Sequence, residues 1–485
     1  MELHSIFQIA HFPRLQRVVR TPTTNEWKRF RRYTARVVEL SVEEVSPETI
    51  SFLGMQSTLD PLWHRLASLR LTEGLGWDAV TSTLTFLSPK IIHLTLILPR
   101  HNSILLQPTL SIASDRCHWL QELVLDTVAD DSHSVRWVGK LISASRSTLR
   151  TLEIRSPFKT GYLLTIIASL TQLRNLRLEG VHFPSDLPSD AFPTLEEVTF
   201  VRLHGQRPQH FFEHLRTTTL KVVKVHATDT VTFKESITAL ARFSPTLRVL
   251  EISGVADLGL PSVAIPHLFT NLTTVHLRCC RRGDPCAFRP TDKAIAELGA
   301  AMPNITHLSL GSPGCSNLRC ITFISLISLS QTCKNLETLM VRVDFQTMVT
   351  PPPSENRDAG AGRTFDGTPG SWCKLRKLVV GVSILPRNSE SGWIVAVGLG
   401  EIFPSLSEVV GYKSEGPKWE QVSRNIKMLR QVHRTMQQQG LYRGKQSQST
   451  FQLSNPPPFA MFYRRLSHGV PPYRHRDNTP SDSLD

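Results

Sequence analysis

The sequence predicts an α/β fold, a leucine-rich-repeat solenoid with short parallel strands on its inner curve, helices outside and helical end caps. Two observations predict it. A six-residue apolar pattern recurs along most of the chain, and many stretches between its copies have apolar residues every three or four positions. One strand and one helix cannot bury their apolar stripes alone, so neighbouring units must stack into a continuous core.

The recurring pattern is L-x-x-L-x-L, and its clearest copy is LRNLRL at residues 173–178. Most intervals between copies fall within the roughly 20–29 residues of leucine-rich repeats. Positions four and six of each hexamer face the core. Positions three and five, together with the residue that follows the hexamer, called position seven, form the opposite face, here called the display face. The fourteen hexamers begin at residues 37, 66, 91, 120, 149, 173, 195, 220, 247, 272, 305, 336, 375 and 406.

Helices are predicted between the hexamers and at both chain ends. Apolar periodicity indicates helices at 233–243 and 291–299. Near the N-terminus, a helix that begins near Thr24 would align three aromatic rings, spaced three residues apart, as a cap on the first repeat. The basic run at 28–32 is interpreted as the solvated face of that helix, with a nuclear-import or anion-binding patch as the alternative. The three rings are those of Trp27, Phe30 and Tyr33.

These patterns divide the chain into four regions. They are a basic lead-in at 1–36, the repeat body at 37–412, a helical cap at 413–440 and a disordered basic tail at 441–485. The cap has apolar residues at 419, 422, 426, 429 and 432, so it is expected to cover the last repeat, with a partner-binding helix as the alternative. Within the body, residues 350–370 are rich in Pro, Gly and polar groups and predict a flexible insert.

The positive charge is concentrated at the two ends of the chain. Residues 1–36 hold eight Lys or Arg and two Glu, and residues 413–485 hold twelve Lys or Arg and five acids, so the body is nearly neutral despite the net charge of +14. A neutral body disfavours nucleic acid as the main partner. A nucleic-acid or anionic-surface binder that works through the basic ends remains an alternative.

Several function classes lack their sequence signals. Eight irregularly spaced cysteines and no N-terminal signal segment predict reduced thiols in a cytoplasmic or nuclear protein, with Cys280 as a turn residue and not a zinc ligand. No apolar run approaches the roughly 18 residues of a membrane span. The sequence contains no G-x-S-x-G, G-x-G-x-x-G or H-E-x-x-H motif. We therefore expect no catalytic residue, cofactor or metal, no membrane contact, and a monomer.

The predicted functional site is the display face. Its charged residues change from acidic in the first repeats to basic in the later ones, which suits a protein partner better than the uniform charge of nucleic acid. The alternative is a solvated face without a partner. The candidate binding residues are Glu39, Glu122, Asp126, Glu153, Arg155, Arg177, Lys224, His226, His276, Arg278, Arg342 and Lys377.

The lead-in carries a more specific pattern, W-x-x-F-x-x-Y-x-x-R-V-x-x-L, which starts at Trp27 and ends at Leu40. With this lead-in and with repeat openings such as SPTLRVL at 244–250, residues 12–430 resemble the F-box-like leucine-rich-repeat proteins of mushroom-type fungi. The resemblance implies a substrate-recognition subunit of a cullin-type ubiquitin ligase, attached through a Skp-type adaptor. The F-box that would dock on this adaptor is expected before the lead-in, where only a stretch at 3–9 resembles a remnant. Either the sequence is truncated before the lead-in, or adaptor binding has been lost. A binding scaffold without a ubiquitin role is the alternative.

Overall fold

The computed structural model of the 485-residue chain shows an α/β protein built on a long parallel sheet. The chain divides into two compact units, Met1–Leu429 and Arg430–Asp485, and the second is described only over residues 430–438. The described residues are 23–42, 63–71, 86–97, 103–126, 132–155, 161–180, 183, 187–188, 190–203, 208–227, 234–254, 269–278, 291–311, 321–346, 373–385, 391–412 and 415–438.

Fourteen described strands form one sheet in which spatial order follows chain order, and each neighbouring pair is parallel. Two further strands, β12 (Ile321–Thr322) and β14 (Val343–Asp344), pair with each other in a small second sheet. The strands of the large sheet are β1 (Glu39–Val42), β2 (Ser68–Leu71), β3 (His93–Ile97), β4 (Glu122–Asp126), β5 (Thr151–Ile154), β6 (Asn175–Glu179), β7 (Glu197–Leu203), β8 (Val222–Ala227), β9 (Val249–Ser253), β10 (Thr274–Arg278), β11 (His307–Leu310), β13 (Thr338–Met340), β15 (Lys377–Gly381) and β16 (Glu408–Gly411).

Helices lie between many of these strands. In the described residues, α2 contacts α3, α3 contacts α4, α5 contacts α6, α7 contacts α8, and α8 contacts α9, so the helices form a second layer in chain order. The helices are α1 (Thr24–Thr34), α2 (Ser103–Arg116), α3 (Ser132–Ala144), α4 (Gly161–Ala168), α5 (Gln209–His214), α6 (Lys234–Leu240), α7 (Asp292–Ala301), α8 (Phe323–Thr332), α9 (Ser391–Ile402) and α10 (Gly416–Gln438).

The predicted strand phase is confirmed at all fourteen hexamers, because every strand of the large sheet begins at position three. The pairing register joins equal positions of successive hexamers, for example Leu152 with Leu176 and Leu176 with Val198. Equal positions therefore form rows across the sheet, with neighbouring residues about 4.8 Å apart along a row.

The alternation of core and display positions is also confirmed. Position four is buried in all fourteen strands, and position six is buried in all but the last, where it is Gly411. These residues share one hydrophobic core with apolar residues of the helices, such as Leu141 of α3 and Leu298 of α7. Complete burial of one Leu side chain contributes roughly 1.5–3 kcal/mol, so the repeated pattern supplies the main stabilisation of the sheet.

A row of polar side chains satisfies the backbone where each unit turns into its strand. The residue before a hexamer is often Thr, and its hydroxyl donates to the carbonyl of position one in the preceding hexamer. Thr148 donates to Leu120 (2.8 Å), Thr194 to Leu173 (3.0 Å) and Thr246 to Leu220 (2.9 Å). These hydroxyls supply the donors that buried carbonyls at a turn need.

The lead-in helix forms where the sequence predicts it. Thr23 caps α1, since its hydroxyl accepts from the Glu26 N–H while the Glu26 carboxylate accepts from the Thr23 N–H, a reciprocal capping box. Phe30 of α1 packs edge-on against Trp63, with ring centroids 6.4 Å apart, and Trp63 packs against Phe86 at 5.3 Å. An aromatic series thus joins α1 to the residues beside the first strands.

Helix α10 packs beside the last strand. Trp419 is fully buried, lies over Gly411, donates from Nε1 to the Ser383 carbonyl at 2.9 Å and stacks against Phe345 with centroids 5.0 Å apart. The Val409 N–H on the edge strand β16 donates to the Ser423 hydroxyl at 3.3 Å. The helix begins three residues before the predicted apolar series at 419–432 and ends six residues after it.

Six of the predicted display positions are instead buried, namely Val124, Thr199, Ser309 and Val379 at position five and Gly311 and Gly381 at position seven. Val124 and Val379 occupy position five, yet each is only 7% exposed. Position five is the middle of the display face, so longer side chains in the neighbouring rows cover a short apolar residue there. The small second sheet was not predicted either, because two-residue strands carry no periodicity.

The other interrepeat helices follow the prediction closely. Residues 233–243 contain α6 followed by a 3-10 turn at Ala241–Phe243, and residues 291–299 contain α7 with Thr291 as its N-cap. The insert at 350–370, the tail at 441–485, the turn cysteine at 280 and the possible F-box remnant at 3–9 lie outside the described residues.

Candidate functional site

The display face is a set of three rows, formed by positions three, five and seven of the hexamers. Register places equal positions side by side, so Glu153 lies next to Arg177 and Lys224 lies next to Glu251. Charged side chains in one row therefore meet their neighbours at the spacing of parallel strands.

Strands β3 to β6 carry an ion-paired segment, which we define as His93, Glu122, Asp126, Glu153, Arg155 and Arg177. Within it, the Glu153 carboxylate accepts from the Arg155 Nε at 2.8 Å and lies 3.0 Å from the Arg177 Nε. The Glu153 side chain is only 17% exposed, so this carboxylate is largely removed from water and held by two guanidinium groups. The negative charge of Glu153 is therefore neutralised by two arginines of the display face itself.

The other two acids of the ion-paired segment also lie beside basic side chains. Asp126 Oδ2 lies 4.0 Å from Arg155 Nη1, and Glu122 Oε2 lies 3.1 Å from His93 Nδ1. The hydrogen bond to Glu153 raises the pKa of Arg155 above its usual value, with the charges of Glu153, Asp126 and Glu179 adding to the effect against the opposing influence of burial. Consequently, the acidic residues of the first repeats do not form an uncompensated negative surface.

Strands β8 to β10 carry a different cluster, the histidine segment, defined as Lys224, His226, Glu251, Ser253, His276 and Arg278. Two rows pass through it. Position five runs Lys224, Glu251, His276, and position seven runs His226, Ser253, Arg278. The Nδ1 of His226 lies 2.6 Å from the Ser253 hydroxyl.

Several donors in the histidine segment lack a partner. The Nδ1 of His276 and the Nε of Arg278 are buried atoms without a hydrogen bond in the described part of the chain. Lys224, by contrast, is 2.7 Å from the Glu197 carboxylate of β7. Glu251 is the one carboxylate within the segment, and no described residue donates a hydrogen bond to it. Among the described residues, more hydrogen-bonding groups therefore lack a partner here than in the ion-paired segment.

Burial and the surrounding cations lower the pKa of both histidines and so favour the neutral rings. Burial lowers the pKa of His226, and the charges of Arg177, Arg278 and Lys224 lower it further, while Glu251 acts in the opposite direction. Burial also lowers the pKa of His276, with Arg278 and His307 contributing in the same direction against Glu251. A proton on either ring would thus be added to a region that is already positive.

The Ser253–His226 contact resembles part of a nucleophile pair, but it lacks the group that would orient the imidazole. No carboxylate among the described residues is hydrogen-bonded to His226. The guanidinium and imidazole N–H groups of the segment are hydrogen-bond donors of the kind that bind anions.

The predicted binding residues thus fall into separate groups. Glu122, Asp126, Glu153, Arg155 and Arg177 lie in the ion-paired segment, and Lys224, His226, His276 and Arg278 lie in the histidine segment. Glu39 is exposed on β1 without an ion-pair partner among the described residues. Arg342 is half-buried between β13 and β14, and Lys377 of β15 is 3.0 Å from the Glu408 carboxylate of β16.

The site list from sequence missed several charged members of the same rows. Arg70, Glu197, Glu251 and Glu408 all occupy positions three or five, so the register that located the others could have found them. Arg202 could not be found in this way, because it lies at an irregularity of β7 with φ 53°, where it pairs with Glu179 at 2.7 Å. With these acids included, the change from acidic to basic along the face is interrupted.

Comparisons with known proteins give no assignment, since no family model matches the sequence and no curated protein is significantly similar to it. Within the described residues, no helix has both the length and the apolar character needed to cross a bilayer. The same residues contain no group of three or more His, Cys, Asp or Glu side chains arranged to hold a metal ion.

Proposed function

We propose that this chain is a non-enzymatic leucine-rich-repeat solenoid that binds another protein through its display face. Fourteen described parallel strands in chain order, paired at equal hexamer positions apart from shifts in the β7–β8 and β15–β16 pairs, support the repeat interpretation. An array of this kind exposes a long preformed surface, and binding through it would order few additional side chains.

The observation that carries the proposal is the unequal state of the display face. The acids of the ion-paired segment already have partners, whereas the buried Nδ1 of His276 and Nε of Arg278 have none in the described residues. Buried polar groups without partners are unusual in a folded protein and call for an explanation. Because both residues are only partly buried, a bound partner would supply acceptors to the parts of these side chains that remain exposed.

The resemblance to F-box-like proteins leads us to propose further that the bound protein is a substrate for ubiquitination. The lead-in that carries this resemblance is the helix α1, and Phe30, one of its aromatic residues, packs onto Trp63. This contact supports a lead-in that belongs to the repeat body. A Skp-type adaptor would be the second partner, in the cytoplasm or nucleus.

The ubiquitin part of the proposal can be tested by co-purification. The 485-residue chain is expressed with a Skp adaptor and passed over a sizing column, beside a version extended upstream if the genomic locus encodes more. A stable complex with either version supports the ligase role. If neither version binds the adaptor, the ubiquitin role is rejected and only the binding scaffold remains.

The role of the display face can be tested separately. A triple Gln variant of Arg177, Lys224 and Arg278 is compared with a control variant that replaces Arg136, Lys140 and Lys293, which lie on helices α3 and α7. Proteins cross-linked to each variant in extract of the source cells are quantified by mass spectrometry. Loss confined to the display-face variant supports the proposal, and equal recovery with both variants rejects it.

A further inference from the structure

The histidine segment indicates which chemistry a partner would present. Its side chains offer guanidinium, ammonium and imidazole donors, with a single carboxylate, Glu251, between the two histidine-bearing strands. Donors of this kind bind carboxylates through charge-assisted hydrogen bonds, which are roughly twice as strong as neutral ones. The complementary group is therefore an anion.

The three cations that lower the pKa of His226 differ in whether a described residue forms an ion pair with them. Arg177 is held by Glu153 at 3.0 Å and Lys224 by Glu197 at 2.7 Å. Arg278 has no ion-pair partner among the described residues, and it borders His276 on the same strand. An incoming anion would therefore meet Arg278 first and His276 beside it.

The position of Glu251 favours a polypeptide over a nucleic acid. Glu251 lies in the centre of the segment, between Lys224 and His276 in the position-five row, and no described residue forms an ion pair with it. A continuous phosphate backbone would pass over this carboxylate and be repelled by it. A peptide can place one acidic side chain on the donors and neutral residues over Glu251.

We propose that the histidine segment, with Arg278 and His276 at its centre, binds an acidic side chain of an extended segment of the partner protein. This inference rests on the proposed protein-binding function and specifies its partner as one with isolated Asp or Glu residues between neutral ones.

The site also makes binding dependent on pH. The groups that face the two histidines are Arg177 of β6, Lys224 of β8, Glu251 and Ser253 of β9, Arg278 of β10 and His307 of β11. A bound carboxylate adds a negative charge to this set, so it favours the protonated histidines. Binding therefore takes up protons, and affinity rises as the pH falls towards the lowered pKa values of the two histidines.

The experiment uses the full chain and a fluorescent twelve-residue peptide with Glu at every third position between Ser and Gly. A peptide with Gln in place of Glu and a single-stranded oligothymidylate of equal charge serve as the other probes. Fluorescence anisotropy is recorded at pH 7.5 and 5.5. We expect binding of the Glu peptide only, with tighter binding at pH 5.5.

The variants locate the site. Arg278→Gln should weaken binding of the Glu peptide by about tenfold, the loss of one charge-assisted contact. Arg136→Gln on helix α3, the matched control, should change it by less than about twofold. The double variant His226→Gln and His276→Gln should lose the dependence on pH. Circular dichroism melts of every variant establish that the fold is retained.

Three results would overturn the inference. They are equal binding of the Glu and Gln peptides, equal losses in Arg278→Gln and Arg136→Gln, and preference for the oligonucleotide with the same loss in Arg278→Gln. If the Glu peptide fails while the triple display-face variant still loses its cross-linked proteins, acid recognition is wrong and protein binding stands. If both experiments fail, both proposals are rejected.

Discussion

The ion-paired segment and the histidine segment lie on the same face of one sheet, and they differ in how their charges are satisfied. In the first, Glu153 is held by Arg155 and Arg177 at 2.8 and 3.0 Å. In the second, buried nitrogen atoms of His276 and Arg278 have no partner in the described residues. The first segment is a network whose acids have basic partners, whereas the second keeps nitrogen atoms without a described acceptor, which is the basis of the binding proposal.

The comparison shows that an abundance of charge does not by itself mark a binding site. Both segments are built on the same strand geometry and the same buried core beneath. What distinguishes them is how acids and bases are arranged along each strand and between neighbouring strands. Glu153 is paired with two arginines, so these charges satisfy one another. Glu251 is one acid among two histidines, a lysine and an arginine, so some of these donors have no described acceptor.

The largest expected effect is on the shared core. Leu176→Asp under the ion-paired segment and Leu250→Asp under the histidine segment each place an unpaired charge among buried residues, so each should lower the free energy of unfolding by about 4–5 kcal/mol. Urea denaturation followed by circular dichroism measures this. Unchanged stability in either variant would show that the hexamer register is wrong at that strand.

The next effect separates the two segments. Glu153→Gln removes the acceptor of two guanidinium groups and should destabilise the protein by about 1 kcal/mol, a modest value because both arginines are half-exposed. Glu251→Gln should leave stability within about 0.5 kcal/mol and strengthen binding of the Glu peptide, since a competing negative charge is removed. Equal destabilisation by both changes, measured by urea denaturation, would erase the distinction.

A pH effect sharpens the comparison further. The folded protein lowers the pKa of His226 and His276, so the unfolded chain binds more protons at these residues. Their contribution to stability is therefore present above about pH 6.5 and is lost as the pH falls towards the lowered folded values. Unfolding free energies of the wild type and the double His→Gln variant between pH 8 and 5 should diverge in this window. Parallel curves would contradict the prediction.

The smallest effect concerns single arginines. Arg155→Met breaks the contacts to Glu153 and Asp126 and should destabilise the protein by about 0.5–1 kcal/mol. Arg278→Met keeps the apolar part of the side chain and removes a guanidinium without a described partner, so its stability should change by less than about 0.5 kcal/mol. Thermal melts of the two variants decide whether the difference exists.

The sequence by itself determined the strand positions and which residues enter the core. All fourteen strands begin at the third residue of a hexamer, because apolar residues at a spacing of two can face one side only in a strand. The same periodicity placed the candidate binding residues on the display face. The spacing of Trp27, Phe30 and Tyr33 also located the start of α1 near Thr24, and the structure adds the capping box at Thr23.

Only the tertiary structure decided which side chains of the display face pair with one another and which are buried. The sequence shows that Glu153, Arg155 and Arg177 are charged and face the same side. Their mutual contacts depend on the orientations of long side chains in adjacent strands. It likewise could not reveal that Val124 is covered, that Arg202 bends into reach of Glu179, or that Arg278 remains without a described partner. Periodicity fixes the direction in which a side chain leaves the backbone, whereas pairing and burial depend on neighbours that lie some 20 to 40 residues away in sequence.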